Sequence, residues 1–360
     1  MTQREKEILD LIAQDPMIQQ QTIADRLGIT RSSVAVHISN LTKKGFLAGK
    51  GYVIRSGNYA AVVGGVNVDI GGRSFGPLVT ADSNPGSVST TVGGVGRNIA
   101  NNLALMGTDV KMLTALGDDR NGQYALAYCV EQGVDMNCAQ VIPGGTTSTY
   151  LYLTDPDGEM ALAVSDMSIC ERITPAYLAA NLSVLRNARV VVADANIPAE
   201  SLRYLAENVT GPLFVDPVST AKAEKLRPIL SRIHTLKPNR IEAELLSGVA
   251  IREKEDFPKA AAALQRLGVK RVFISLGAEG VFAADENGEV WLPTLPGKMV
   301  NTTGCGDAFM AALVWAAMED MDLKQTALAG LAAGAITMES GLTINPDMSA
   351  DAIRARMGTN

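Results

Sequence analysis

Two hydrophobic rhythms divide the chain. Over residues 1–56 apolar positions recur at helical spacing: Ile8, Leu9, Leu11 and Ile12, then Ile23, Ala24 and Leu27, then Val34, Val36, Ile38 and Leu41. They predict three helices, the second from about Gln19 to a stop at Gly28, the third capped by Thr30 and ended by Gly45. From Tyr59 onward the pattern changes to short runs that are apolar at nearly every position. These are Ala60–Val63, Val110–Leu113, Val190–Ala193, Leu213–Asp216 and Val272–Ser275. Such runs, separated by helical stretches, predict a mostly parallel sheet buried on both faces. The expected fold class is therefore α/β with helices on both faces of the sheet, residues 57–360, preceded by a small helical domain, residues 1–56.

Composition narrows the function. A chain of 360 residues suits two domains, and 47% apolar with 19% charged residues excludes disorder. No apolar run reaches the roughly 18 residues of a membrane span, and the first residues lack a signal peptide's apolar core. The four cysteines show no C-x-x-C spacing, which points to a reduced, cytoplasmic protein. With two histidines in all, acid–base chemistry falls to carboxylates. Charge is uneven: residues 1–56 carry +3 and the remainder −9. A basic head on an acidic body suggests a nucleic-acid module joined to a domain that binds no polyanion.

Within the head, Gly28-Ile29-Thr30 alone separates the second and third helices, and Phe46–Ile54 reads as a short β-wing. The stretch resembles the winged helix-turn-helix of bacterial transcription regulators. That resemblance implies Arg31, Ser32, Ser33, His37 and Asn40 facing the major groove, with Lys43, Lys44 and Lys50 at phosphates. A helical bundle used only for dimerisation or docking is the alternative, since +3 is modest for a DNA binder. A head this small would need a dimeric protein to hold DNA.

The body carries five polar or glycine-rich segments at strand ends. In Asn301-Thr302-Thr303-Gly304-Cys305-Gly306-Asp307, two glycines precede an apolar helix, so backbone N–H groups can converge on an anion. Asp307 then stands where it could take a proton from an alcohol beside that anion. Taken alone, the segment is equally a glycine turn with an ordinary helix-start Asp. Gly93-Gly94-Val95-Gly96-Arg97-Asn98 opens another helix, expected to run from Ile99 to Met106. Asn67 and Asp69 share one side at strand spacing and can grip vicinal hydroxyls. Asn239 and Glu242 lie three apart on one helix face, and Ser275–Gly280 ends a strand in a glycine turn.

Together and in this order, the five segments resemble the ribokinase-like sugar and nucleoside kinases, the PfkB family, over about residues 59–350. The resemblance implies a ribokinase-like sheet with a small β lid, from about 70–92 and 146–166. It also implies ATP with Mg²⁺ as phosphoryl donor. Asp307 would be the base, and the N–H groups of Gly304, Cys305 and Gly306 the anion hole. Asn239 and Glu242 would hold the magnesium–ATP complex, with Ser275, Gly277 and Gly280 lining the nucleotide site. Asn67, Asp69, Gly93, Gly94, Arg97 and Asn98 would hold the sugar. Cys305 departs from the usual Ala, which costs nothing if only its N–H is used. Asn301 replaces an Asp that serves a monovalent cation in many members, which leaves potassium (K⁺) activation open.

Within the family the sequence is most similar to the pseudouridine kinases, through Ala81–Gly86, Gly93–Ala100, Gly144–Tyr150, Val215–Ser219 and Ile233–Arg240. The implied reaction is phosphorylation of the 5′-hydroxyl of pseudouridine. Asp82, Ser83 and Asn84 would read the extra ring N–H of the base, with Lys222 at a uracil carbonyl, although Asn84-Pro85-Gly86 is also plain turn chemistry. Another nucleoside or a ribose-like sugar, or a regulator that only senses its ligand, are the rival readings. A homodimer formed through the lid is the expected assembly.

Overall fold

The computed structural model describes residues 2–15, 18–44, 46–47 and 57–358. In the head, α1 (Gln3–Gln14) starts on a Thr2–Glu5 capping box. Next, α2 (Gln20–Leu27) stops at Gly28 in the left-handed region, and Thr30 caps α3 (Arg31–Lys43) by accepting the Ser33 N–H. Ile8, Ile12, Ile23, Val34, Leu41 and Leu47 form its core.

Two expectations for the head need correction. Val36 is 59% exposed, because the buried stripe of α3 is Val34, Ile38 and Leu41 and position 36 lies off that face. The Lys44 ammonium, assigned to a DNA phosphate, is 2.8 Å from the carboxylate of buried Glu5 and ties α3 to α1. Arg31, Ser32 and Lys43 are exposed on α3, while Ser33, His37 and Asn40 are half-buried there. Gly45, Lys50 and the wing from residue 48 lie outside the described residues.

The body begins with β1 (Gly57–Val63), β2 (Asn67–Ser74), β3 (Gly86–Gly93) and β4 (Asp109–Leu113). There follow β5 (Ala115–Gly117), β6 (Gln140–Ile142), β7 (Thr149–Thr154), β8 (Met160–Asp166) and β9 (Ala188–Asp194). The last are β10 (Leu213–Asp216), β11 (Thr235–Leu236), β12 (Arg271–Ser275), β13 (Val281–Asp285) and β14 (Gly288–Leu292). The main sheet runs β14-β13-β12-β11-β10-β9-β1-β4, parallel from β12 to β4 and antiparallel at β13 and β14.

All five sequence-predicted strands lie in this sheet, and their continuous hydrophobicity has the expected cause. Ala60 and Val62 enter a core on one face, and Ala61 and Val63 enter a second core on the other. The first core includes the helix Cys305–Met318, which is buried at every position from Ala308 to Ala316. A helix clamped all round holds its N-terminus in a fixed place, and that terminus opens at the carboxyl ends of the strands.

A second sheet, β3-β2-β7-β8, forms the lid. The helix expected from Ile99 begins four residues earlier, at Val95, after Gly94 at φ 104°. A Cβ on Gly94 would lie 2.4 Å from the Gly65 carbonyl oxygen, so only glycine allows this approach. Gly96, Arg97 and Asn98 thus belong to the helix's first turn.

Candidate active site

The helix Cys305–Met318 starts from Gly304 at φ 86°, pressed so closely on Thr343 that a Cβ would meet its carbonyl oxygen at 2.2 Å. In the first turn the N–H groups of Gly306 and Asp307 have no carbonyl four residues back within the helix. That of Cys305 donates to the Thr302 carbonyl at 3.3 Å, a long bond that an anion could displace. Asp307 Oδ2 accepts from Asn98 Nδ2 at 2.6 Å. Burial, and then the negative charge of Asp216, push the Asp307 carboxyl up to about 7, against the pull of Asn98, Lys237 and Arg97. A carboxylate so poised accepts a proton near neutral pH, beside N–H groups that await an anion.

On the lid side, Asn67 Nδ2 donates to Asp69 Oδ1 at 2.6 Å, and burial raises the Asp69 carboxyl. Asn98 is buried and its Oδ1 has no protein partner. The fully buried Asp194 braces this region: Oδ2 accepts the N–H groups of Gly65 (2.9 Å) and Gly96 (2.8 Å), and Oδ1 that of Asn196 (2.9 Å). Lys222 donates to Asn196 Oδ1.

Arg97 does not reach the acceptor cleft as the sequence suggested. It is 2% exposed, and its guanidinium donates to the carbonyls of Val92 and Gly93 and to Asn101. It secures the end of β3. Gly93 packs against the Asn67–Asp69 pair, where a Cβ would lie 2.3 Å from Asp69 Oδ2. Asn84 spends its carboxamide on its own loop, donating to the carbonyls of Val79 (3.0 Å) and Asp82 (3.1 Å) and accepting the Val79 N–H at 2.8 Å. Asp82 accepts the Ser83 N–H at 2.7 Å, and both residues are exposed.

On the other side of Gly306 a cavity of about 700 Å³ is lined by Lys237, Ser275, Gly277 and Gly280 and by apolar Leu295, Phe309 and Met338. A polar throat at the helix mouth and an apolar slot beyond it suit the phosphates and base of a nucleotide. Asn239 and Glu242 form a reciprocal capping box at 2.9 Å each way, and burial raises the Glu242 carboxyl. Among the described residues no three acidic, His or Cys groups cluster as a cation cage. Magnesium here would be held mainly by phosphate and water with one carboxylate nearby, its usual preference. Asn301 accepts the Thr303 N–H at 3.0 Å and donates to the Gly341 carbonyl at 3.4 Å.

Sequence reasoning missed Asp194, Asp216 and Lys237. Lys237 Nζ is 3.1 Å from Asp216 Oδ2, both residues are buried, and a Cβ on Gly306 would lie 3.6 Å from that ammonium. The available signal was position: each of the three ends or directly follows a buried parallel strand, where ligands of α/β sheets bind.

Residues 58–350 match the model of the pfkB family of carbohydrate kinases. The chain belongs to this family. The resemblance drawn from the five segments is thereby borne out, as is the ribokinase-like α/β fold. The head matches a winged helix-turn-helix DNA-binding model over residues 1–48. The kinase is 41% identical over 355 residues to the uncharacterized sugar kinase YeiI of Escherichia coli K12, covering 98% of both chains. It is also 41% identical to the pseudouridine kinase of Escherichia coli K12, covering 82% of this chain and 95% of that one. The solved structure of a carbohydrate kinase from Agrobacterium tumefaciens superposes with a TM-score of 0.74 at 29% identity, covering 84% of this chain and 97% of that one. This pfkB kinase is accordingly an ATP-dependent phosphotransferase with an alcohol acceptor, a sugar or nucleoside kinase. Among the described residues no helix is long and apolar enough to cross a membrane.

Proposed function

We propose that the protein phosphorylates the 5′-hydroxyl of pseudouridine, giving pseudouridine 5′-phosphate. The observation that carries the transfer chemistry is Asp307, raised to about 7 and bonded to Asn98 at the mouth of an anion-binding helix. The acceptor assignment is supported by the 41% identity to the Escherichia coli pseudouridine kinase.

In this reading Asn67, Asp69 and the unpaired Oδ1 of Asn98 bind ribose hydroxyls, and Gly93 and Gly94 let the backbone approach. Asp307 takes the 5′-hydroxyl proton as the oxygen attacks. The N–H groups at Gly304–Gly306 hold the migrating phosphoryl, which needs positioning and charge neutralisation more than covalent help. Asn239 and Glu242 would hold the magnesium–ATP complex through metal-bound water, and the metal would supply part of that neutralisation. Ser275, Gly277 and Gly280 border the nucleoside of ATP. Lys222 and the Asp82–Asn84 loop face the base, Asn84 by shaping the loop.

The lid sheet supports a homodimer. Its register puts Val88, Gly72, Leu153 and Leu162 in one row and Thr90, Ile70, Leu151 and Val164 in the next, on the face opposite Asp69. Val88, Leu162 and Val164 are 76%, 61% and 58% exposed, a contiguous apolar face of the kind that partners cover. The winged helix-turn-helix match supports a second activity, DNA binding through α3 by Arg31, Ser32, Ser33, His37, Asn40 and Lys43.

The test is turnover with magnesium–ATP over a panel of pseudouridine, other nucleosides and pentoses, with potassium varied. The expected result is the highest kcat/KM on pseudouridine. Preference for a simple sugar overturns the acceptor, and no turnover of any acceptor favours a ligand-sensing regulator.

A further inference from the structure

We propose that Lys237 is a catalytic residue whose ammonium bears part of the charge of the phosphoryl group in flight, held in place by Asp216. The proposal rests on the placement of that phosphoryl group at Gly304–Gly306. Three observations carry it. First, Lys237 is the single cation among the described residues that line the nucleotide cavity, and its ammonium stands where a Cβ on Gly306 would touch it at 3.6 Å. It therefore borders the same space as the orphan N–H groups of the helix.

Second, the Lys237–Asp216 pair is almost completely enclosed, at 8% and 7% side-chain exposure. Enclosing two charges costs desolvation that their attraction seldom recovers with profit, so stability alone does not explain the pair. Third, Asp216 is held rigidly. Its Oδ2 faces Lys237, while its Oδ1 accepts the Val218 N–H at 2.8 Å. Val218 sits at φ 66°, a region a β-branched residue enters only under compulsion. Strain of this kind collects where a geometry must be exact. The other buried cation nearby, Arg97, is spent on the carbonyls of Val92 and Gly93.

The chemistry is balanced without a further reactant. The acceptor oxygen forms a bond to the γ-phosphorus of ATP as the bond to the ADP oxygen breaks, and the hydroxyl proton passes to Asp307. Lys237 remains an ammonium throughout. Before the nucleotide arrives, Asp216 balances its charge; with the phosphoryl in place, the ammonium bridges carboxylate and phosphoryl oxygens. A fixed charge of this kind, already oriented, stabilises the transition state more than the ground state.

The test compares the full-length parent, Lys237→Met, the double variant Lys237→Met/Asp216→Asn, and Asp307→Asn. The double variant removes both charges together, so that no unpaired buried carboxylate unfolds the protein, and the amide keeps an acceptor for Val218. Three readings are taken: kcat on any acceptor the parent phosphorylates, affinity for ADP with and without aluminium fluoride, and melting temperature. We expect the double variant to melt near the parent, to bind ADP within about threefold of it, and to lose about 100-fold or more in kcat. The tightening that aluminium fluoride confers on ADP should fall by about the same factor.

A double variant with kcat within threefold of the parent, or with undiminished aluminium fluoride tightening, overturns the role of Lys237 while Asp307→Asn is inactive. If Asp307→Asn also keeps the parent's rate, the phosphoryl site itself is elsewhere and the proposal falls with it.

Discussion

Asn98 Nδ2 donates to Asp307 Oδ2 across 2.6 Å, joining residues 209 positions apart in the chain. The bond makes one unit of two helix N-termini, one bordering the lid and one bordering the nucleotide cavity. It also stabilises the ionised form of Asp307, opposing the burial that favours the neutral acid.

Asp307→Asn should lower kcat by about 10²–10⁴ while acceptor binding stays measurable, because an amide cannot take the hydroxyl proton. Steady-state turnover with calorimetric binding of the acceptor checks this, and a rate within threefold of the parent would place the base elsewhere.

The pH dependence follows in sign. With the Asp307 carboxyl raised to about 7, kcat/KM should climb as pH passes through about 7 and level off above it. Asn98→Leu removes a bond that favours the carboxylate and should move the midpoint to higher pH. Stability runs the other way. The folded group binds its proton more tightly than the unfolded chain does, so stability is full below the unfolded value near 4 and declines as pH rises through about 7. Asp307→Asn should therefore melt higher than the parent at pH 8, by about 2–4 °C. An acidic optimum, or a melting temperature unchanged at pH 8, would contradict the assignment.

Asn84→Ala should loosen the 79–84 loop, which its carboxamide holds by three hydrogen bonds. The acceptor KM should rise, the ATP KM should hold, and the preference for pseudouridine over uridine should narrow as the base reader loses its shape. An unchanged preference would reduce the segment to a turn.

Leu162→Arg places a charge on the exposed apolar lid face, on the edge strand β8, where Leu162 is 61% exposed. Light scattering should show a dimer for the parent and a monomer for the variant, whose melting temperature should hold because the side chain is not in the core. A parent that is monomeric at micromolar concentration would remove the lid interface.

Deleting residues 1–56 should leave an active kinase, since β1 starts a core separate from the head's own apolar cluster. Affinity for promoter DNA should vanish with the head, and in the full chain should fall steeply with salt. Lys43→Ala should flatten that salt dependence, whereas Lys44→Ala should destabilise the head, because Lys44 pairs with buried Glu5. Gel-shift titration at two salt concentrations, with melting curves, separates these outcomes, and binding that survives the deletion contradicts the assignment.

The five buried strands, the two caps of the helix-turn-helix and the glycines that open the helix Cys305–Met318 were legible in the sequence. Each depends on local rules: continuous hydrophobicity, left-handed glycine, and orphan N–H groups at a helix start. The family followed from the order of five such segments. Arg97 shows where local reading fails. Next to two glycines it resembles a ligand group, yet its side chain turns inward to the carbonyls of Val92 and Gly93, which only packing around the helix Val95–Leu105 decides. Lys44 likewise looks like one more surface cation until α1 brings Glu5 beside it. Asp194 lies in none of the segments read from the sequence, and Asp216 and Lys237, though inside Val215–Ser219 and Ile233–Arg240, were given no role there. Their charges become meaningful only when parallel strands bring their carboxyl ends together and exclude water, since proximity in space and low dielectric, not sequence spacing, set how strongly charges act on one another.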